Sequence, residues 1–258
     1  MKRLAVPALT LLLLVLPGAA HAAAPASAAA AAGSLSIDFS GGGLFTDRMM
    51  QIIALITILS VAPSILIMMT SFVRIVVVLS LLRTALGLQQ SPPNSVIVSL
   101  ALFLTLFVMT PTLKDAYNQG VEPLINNQIT TEQAFDRAAL PMKKFMLDHV
   151  RGADLKLFLD MSHAKTPATP DAVPLTTLAP AFMLSELKRA FEIGFLIFVP
   201  FLIIDMAVAS ILMSMGMMML PPVIISLPFK LIFFVLVDGW RLISGSLVES
   251  YMHGPPPH

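Results

Sequence analysis

Residues Pro180 to Trp240, PAFMLSELKRAFEIGFLIFVPFLIIDMAVASILMSMGMMMLPPVIISLPFKLIFFVLVDGW, place two long apolar runs on either side of a methionine-rich turn. The pattern predicts a helical hairpin. Its first arm opens on a charged cluster (Glu186, Lys188, Arg189, Glu192), continues past Pro200, and carries one acid, Asp205, in an otherwise apolar run. An Asp at the centre of a membrane helix costs about 3 kcal/mol, and each Leu, Ile, Phe or Val returns roughly 0.3 to 0.6 kcal/mol. The arm can therefore enter a bilayer, and Asp205 needs a partner. Lys230 raises the same question in the second arm, which continues to Asp238 and Arg241. Ionisable side chains in apolar helices face a neighbouring helix or a watered path rather than lipid. These arms are expected to assemble with something.

The turn gathers Met213, Met215, Met217, Met218 and Met219 around Gly216 and closes on Pro221 and Pro222. Glycine frees the backbone, and the prolines are expected to end the first arm because they lack an amide hydrogen. Methionine is unbranched and polarizable, so it repacks against irregular partners; equally, it serves as plain filler in an apolar loop.

PAFMLSELKRAFEIGF, PFLIIDM, MGMMMLPP, ISLPFK and FVLVDGW together resemble the P subunits of the bacterial flagellar type III export gate, the FliP/SctR family. A second block, LSVAPSILIMMTSFVRIVVVLSLLRTALGLQQSPPN from Leu59 to Asn94, extends the resemblance. It implies a core subunit of the export gate that assembles in several copies with Q and R subunits. The assembly would be a conduit for unfolded flagellar proteins, powered by other export-apparatus membrane proteins and the proton gradient. On this resemblance Met217, Met218 and Met219, with Gly216 and Met215, would form a deformable gasket. It also implies that the apolar hairpins pack into a helical ring standing largely proud of the bilayer, so hydropathy spans need not be membrane spans.

Composition alone sets the class. The chain is 57% hydrophobic and 12% charged, against about a quarter charged in a typical soluble domain. An integral membrane protein follows, and the predicted helical hairpins make its expected fold all-α. A net charge of +1 creates no field for nucleic acid. The absence of cysteine removes thiol chemistry and thiolate metal sites.

At the N-terminus Lys2 and Arg3 precede an apolar core from Leu4 to Leu16, a Pro17-Gly18 break and the small-residue pattern Ala20-His21-Ala22. This predicts a cleaved signal peptide over 1–22, the core being shorter than the roughly 20 residues of a spanning helix. Residues 23–46 read as a flexible leader. The first apolar hairpin is expected over 47–113, with either a kink at Pro63 or a broken pair of helices before Leu82, and a helix from Ser95 that Pro111 ends. Arg74 within it is either a snorkelling cation or half of an ion pair.

Charges return over 114–179, the expected periplasmic helical segment. Thr130 or Thr131 should cap a helix that Pro141 interrupts, with further amphipathic pieces near Met142 to Val150 and Leu155 to Met161. Pro167, Pro170, Pro174 and Pro180 predict a stiff linker into the second hairpin, 180–250, and 251–258 reads as a disordered tail. A signal peptide puts the central segment outside and the methionine turn inside. The positive-inside rule pulls Lys143, Lys144, Lys188 and Arg189 the other way, but it is weak for long loops.

No phosphate loop, paired metal-binding histidines or nucleophile elbow is present, which argues against an enzyme or a cofactor. His149 and His163 are expected in solvent. Glu186, Lys188, Arg189 and Glu192 have the spacing of ion pairs along a helix start. The competing function is a small-solute or ion permease with Asp205 and Lys230 in the path. No internal repeat of the kind common in transporters links the two halves.

Overall fold

The computed structural model describes residues 44–88, 90–162, 169, 172–217 and 219–252. The expected signal peptide, nearly all of the leader, His163, Met218 and the tail beyond Met252 lie outside these residues. The chain divides into two units, Met1–Ile53 and Ala54–His258. Of the first, the described part is the opening of helix α1 (Leu44–Met68), exposed from residue 48 onward.

All regular structure among the described residues is helical. The helical run of α1 passes through position 63 and stops instead at Met69–Ser71, before α2 (Phe72–Ala85). Side-chain hydrogen bonding explains the break. The Thr70 hydroxyl donates to the Ile67 carbonyl at 2.7 Å and accepts from the Phe72 amide at 3.3 Å. It competes with the helix for its own backbone groups. Beyond α2, Arg83 Nη1 donates to Asn94 Oδ1 at 2.6 Å and to the Pro92 carbonyl at 3.2 Å, clamping the loop into α3.

α3 (Asn94–Ala116) passes straight through Pro111, contrary to the expected stop. The proline is exposed, while Ile97, Ala101, Thr105, Val108 and Met109 hold the helix along its buried face. The run continues through a π-helical turn (Tyr117–Val121) into α4 (Glu122–Ile125). Gly120 sits at that turn because nothing larger fits. A Cβ there would stand 2.6 Å from the Ala134 carbonyl oxygen and 2.6 Å from Ala138 Cβ.

α5 (Thr131–His149) starts at a Thr130 capping box closed by Gln133. Pro141 does not interrupt it. Its ring is buried on the face that carries Phe145, Met146 and His149, and packing against α3 and α7 (Leu175–Ser214) outweighs the roughly 3 kcal/mol that an interior proline costs. The two expected pieces are one helix. α6 (Gly152–Met161) follows and rests on α7. Ser185 of α7 joins them by donating to Asp154 Oδ2 at 2.7 Å and accepting from the Arg151 amide at 3.0 Å.

α7 (Leu175–Ser214) is 40 residues long, about 60 Å at 1.5 Å per residue. That is roughly twice the 30 Å hydrocarbon thickness of a bilayer, so α7 is much longer than one crossing requires. Pro180, expected to close a linker, is inside this helix, which Pro174 caps. α8 (Pro222–Leu236) and α9 (Gly239–Met252) replace the expected continuous second arm. They are bent by 61° about Asp238, whose φ is 50°.

The core forms where α2, α3, α5, α7 and α9 meet, around Ile75, Leu79, Met109, Met146, Phe182 and Leu247. A smaller cluster of Leu82, Leu86, Phe201 and Phe234 seats α8. Among the described residues two helical runs, Asn94–Ile125 and Leu175–Ser214, are long and apolar enough to cross a membrane, and the bent α8–α9 pair would make a third.

Candidate functional site

The methionine turn is built by a helix stop. Gly216 has φ 76°, a left-handed conformation that costs other residues energy. Its amide donates to the Met213 carbonyl at 3.1 Å, and the Met217 amide reaches back to Leu212 at 3.0 Å. This double closure is the Schellman arrangement, which satisfies carbonyls a helix end would leave bare. So Gly216 ends α7. Pro221 and Pro222 begin α8 as its N-cap and first residue, where a missing amide hydrogen is harmless. The prolines start the second arm and do not end the first. Met213, Met215, Met217 and Met219 are all exposed.

Behind the turn the two arms are locked by charge. Lys230 Nζ on α8 lies 2.6 Å from Asp205 Oδ2 on α7 and 3.4 Å from the Ala85 carbonyl at the end of α2. The Ser226 hydroxyl donates to the other oxygen of Asp205. The two charges singled out in sequence are therefore partners. Each supplies the counter-charge the other needs in an apolar setting, which leaves no bare ion site of the kind a permease path requires.

A second buried polar cluster lies along α7. The guanidinium of Arg74 grips both carboxylate oxygens of Glu186, through Nε at 2.8 Å and through Nη2. Its Nη1 donates to Ser250 at 3.0 Å, and its centre lies 3.9 Å above the Tyr251 ring. The Tyr251 hydroxyl donates to Glu186. Burial removes the snorkelling alternative for Arg74. The arrangement ties α2, α7 and α9 through a bidentate, charge-assisted pair, the strongest form such a contact takes.

Glu186 accordingly faces across helices instead of along its own. Among the described residues no ion pair joins Glu186, Lys188, Arg189 and Glu192 to one another, and the group lies several turns inside α7 rather than at its start. Lys188 and Glu192 are exposed and Arg189 is partly buried. Asp238, also exposed, has Arg241 at 4.0 Å. His149 departs from expectation too. It is buried, with Nδ1 at 2.8 Å from the Phe145 carbonyl and Nε2 at 3.4 Å from the Tyr251 carbonyl, and its ring lies 5.2 Å from that of Tyr251. Its i to i+4 spacing from Phe145 was the one available signal. Tyr251, expected in a disordered tail, is a core residue. Ser226, Ser185 and Ser250 carried no sequence signal, because a lone serine in an apolar helix looks like filler.

These features define an all-helical membrane protein with buried ion pairs inside the bundle and broad apolar faces outside it. The FliP family profile matches residues 55–247, and the chain belongs to that family. It is 60% identical over 221 residues to the flagellar biosynthetic protein FliP of Caulobacter vibrioides, covering 86% of this chain and 83% of that protein. It is 55% identical over 201 residues to the protein of that name from Bacillus subtilis (78% and 91%). Over 215 residues it is 51% identical to the Aquifex aeolicus protein of that name (82% and 89%).

Proposed function

We propose that this chain is a core subunit of the flagellar type III protein export gate. Several copies would assemble with Q and R subunits into a gated conduit for unfolded flagellar proteins. Its membership of the FliP family makes it a flagellar biosynthesis component of the inner membrane. The observation that carries the reading is the family match across residues 55–247, which takes in every element from α2 to α8.

Two features of the molecule support it. A 60 Å helix and a bent α8–α9 pair suit a ring that stands partly out of the bilayer within the flagellar basal body. Large apolar side chains on open faces, among them Phe103 and Phe107 on α3, Phe195 and Leu196 on α7, and Val235 and Leu236 on α8, call for neighbouring subunits or lipid. In the ring the helical segment over 114–179 lies on the periplasmic side. Met217, Met218 and Met219 line the constriction and close around a passing chain, with Met215 and Gly216 shaping the bend. Thioether side chains suit that task because they repack without a fixed geometry. The permease reading is not favoured, since Asp205 and Lys230 neutralise each other.

Native mass spectrometry of the chain, purified in mild detergent after co-expression with neighbouring membrane-protein genes, tests the assembly. A ring of several copies that retains smaller helical partners is expected. A stable, partnerless monomer or dimer would overturn the reading.

A further inference from the structure

We infer that the methionine turn is a binding site for a soft monovalent metal cation of the copper(I) or silver(I) type, held by thioether sulfurs alone. Four described methionines, Met213, Met215, Met217 and Met219, fall within seven consecutive residues and are 57%, 66%, 42% and 99% exposed. None of them is buried in the core, so little packing has to be broken to move them. The Schellman closure folds the strand leaving α7 back against its last turn, with the Met217 amide 3.0 Å from Leu212 and the Gly216 amide 3.1 Å from Met213. The backbones that carry Met213 and Met217 are thereby side by side. Each side chain has three rotatable bonds, so neighbouring sulfurs can turn inward onto one ion.

The donor chemistry selects the ion. Thioethers are uncharged and soft, and they favour copper(I) over magnesium, calcium or manganese, which want oxygen. There is no cysteine, and no group of His, Asp and Glu among the described residues could hold a metal. A closed-shell monovalent ion also imposes little geometry, which suits a loop. The site stands on the turn's geometry whether or not the turn lines a pore. Where several copies meet, their turns would supply further sulfurs.

The test uses the full chain in detergent, titrated with silver nitrate in chloride-free buffer by calorimetry, and with copper(I) in competition with a chromogenic chelator. Saturable silver binding is expected. It should weaken by about tenfold or more, some 1.4 kcal/mol, when Met213, Met215, Met217 and Met219 are all replaced by Leu. Met109→Leu, at a buried site, should bind as the parent does. A second measurement needs no variant. In the unaltered chain bound silver should shield the turn methionines from sulfoxidation by peroxide, read by peptide mass spectrometry, while exposed Met161 on α6 oxidises as before. Equal affinity in the leucine variant, or equal protection of Met161 and the turn, would overturn the assignment.

Discussion

Arg74 and Glu186 stand 112 residues apart in the chain and meet in a buried, two-pronged ion pair whose guanidinium lies over the Tyr251 ring. Removing one partner strands the other. Glu186→Ala should cost about 3 to 5 kcal/mol, the penalty of an uncompensated buried charge. Replacing both residues together, Arg74→Met with Glu186→Leu, should recover much of that, because an apolar pair escapes the desolvation penalty. Chemical denaturation in detergent, followed by helical content, measures all three variants. A double variant no more stable than the single one would show that the pair is more than an electrostatic tie.

The Asp205–Lys230 pair should respond unequally. Lys230 is almost wholly buried, whereas Asp205 retains 28% of its side-chain exposure. Lys230→Met leaves a carboxylate that water or headgroups can still reach, and should cost roughly 1 kcal/mol. Asp205→Leu leaves a buried ammonium, and should cost about 3 kcal/mol or more. The denaturation series with the double variant as its fourth corner reads the coupling. Equal costs would contradict the asymmetric burial.

Gly120 predicts a packing effect with no charge in it. Gly120→Ala forces a methyl group against the Ala134 carbonyl oxygen and the Ala138 backbone, neither of which can rotate away. A destabilisation of about 1 to 3 kcal/mol is expected, typical of overpacking, although alanine favours helix. Proteolysis between α3 and α5 should accelerate in step. A neutral effect would show that α5 can slide along the π turn.

The methionine turn can be probed by volume. Replacing Met217, Met218 and Met219 with alanine in the assembled complex should raise leakage of small solutes from vesicles. Replacement with leucine, close in volume, should leave the resting seal nearly intact. Unchanged leakage in the alanine variant of an assembled complex would remove the gasket.

Prolines show where local reading stopped. Pro111, Pro141 and Pro180 all lie inside helices, although each looked like an end. The lost hydrogen bond is a fixed local cost, and whether a helix survives it depends on what its other face is packed against. Gly216 and the Pro221-Pro222 pair were legible as a turn. Which of them ended α7 and which began α8 depended on backbone angles that composition does not carry. His149 was misplaced for a related reason: a histidine in a charged segment looks solvated until the C-terminal helix closes over it.

By itself the sequence determined the all-helical membrane class, the methionine bend and the need of Asp205 for a counter-charge, because hydropathy, glycine placement and isolated charges act over a few residues. Only the tertiary structure decided that Lys230 answers Asp205, that Arg74 answers Glu186 rather than snorkelling, and that Tyr251 and His149 are core. Those pairings join positions 25 to 112 residues apart. Their energy comes from burial that exists only once the helices have packed.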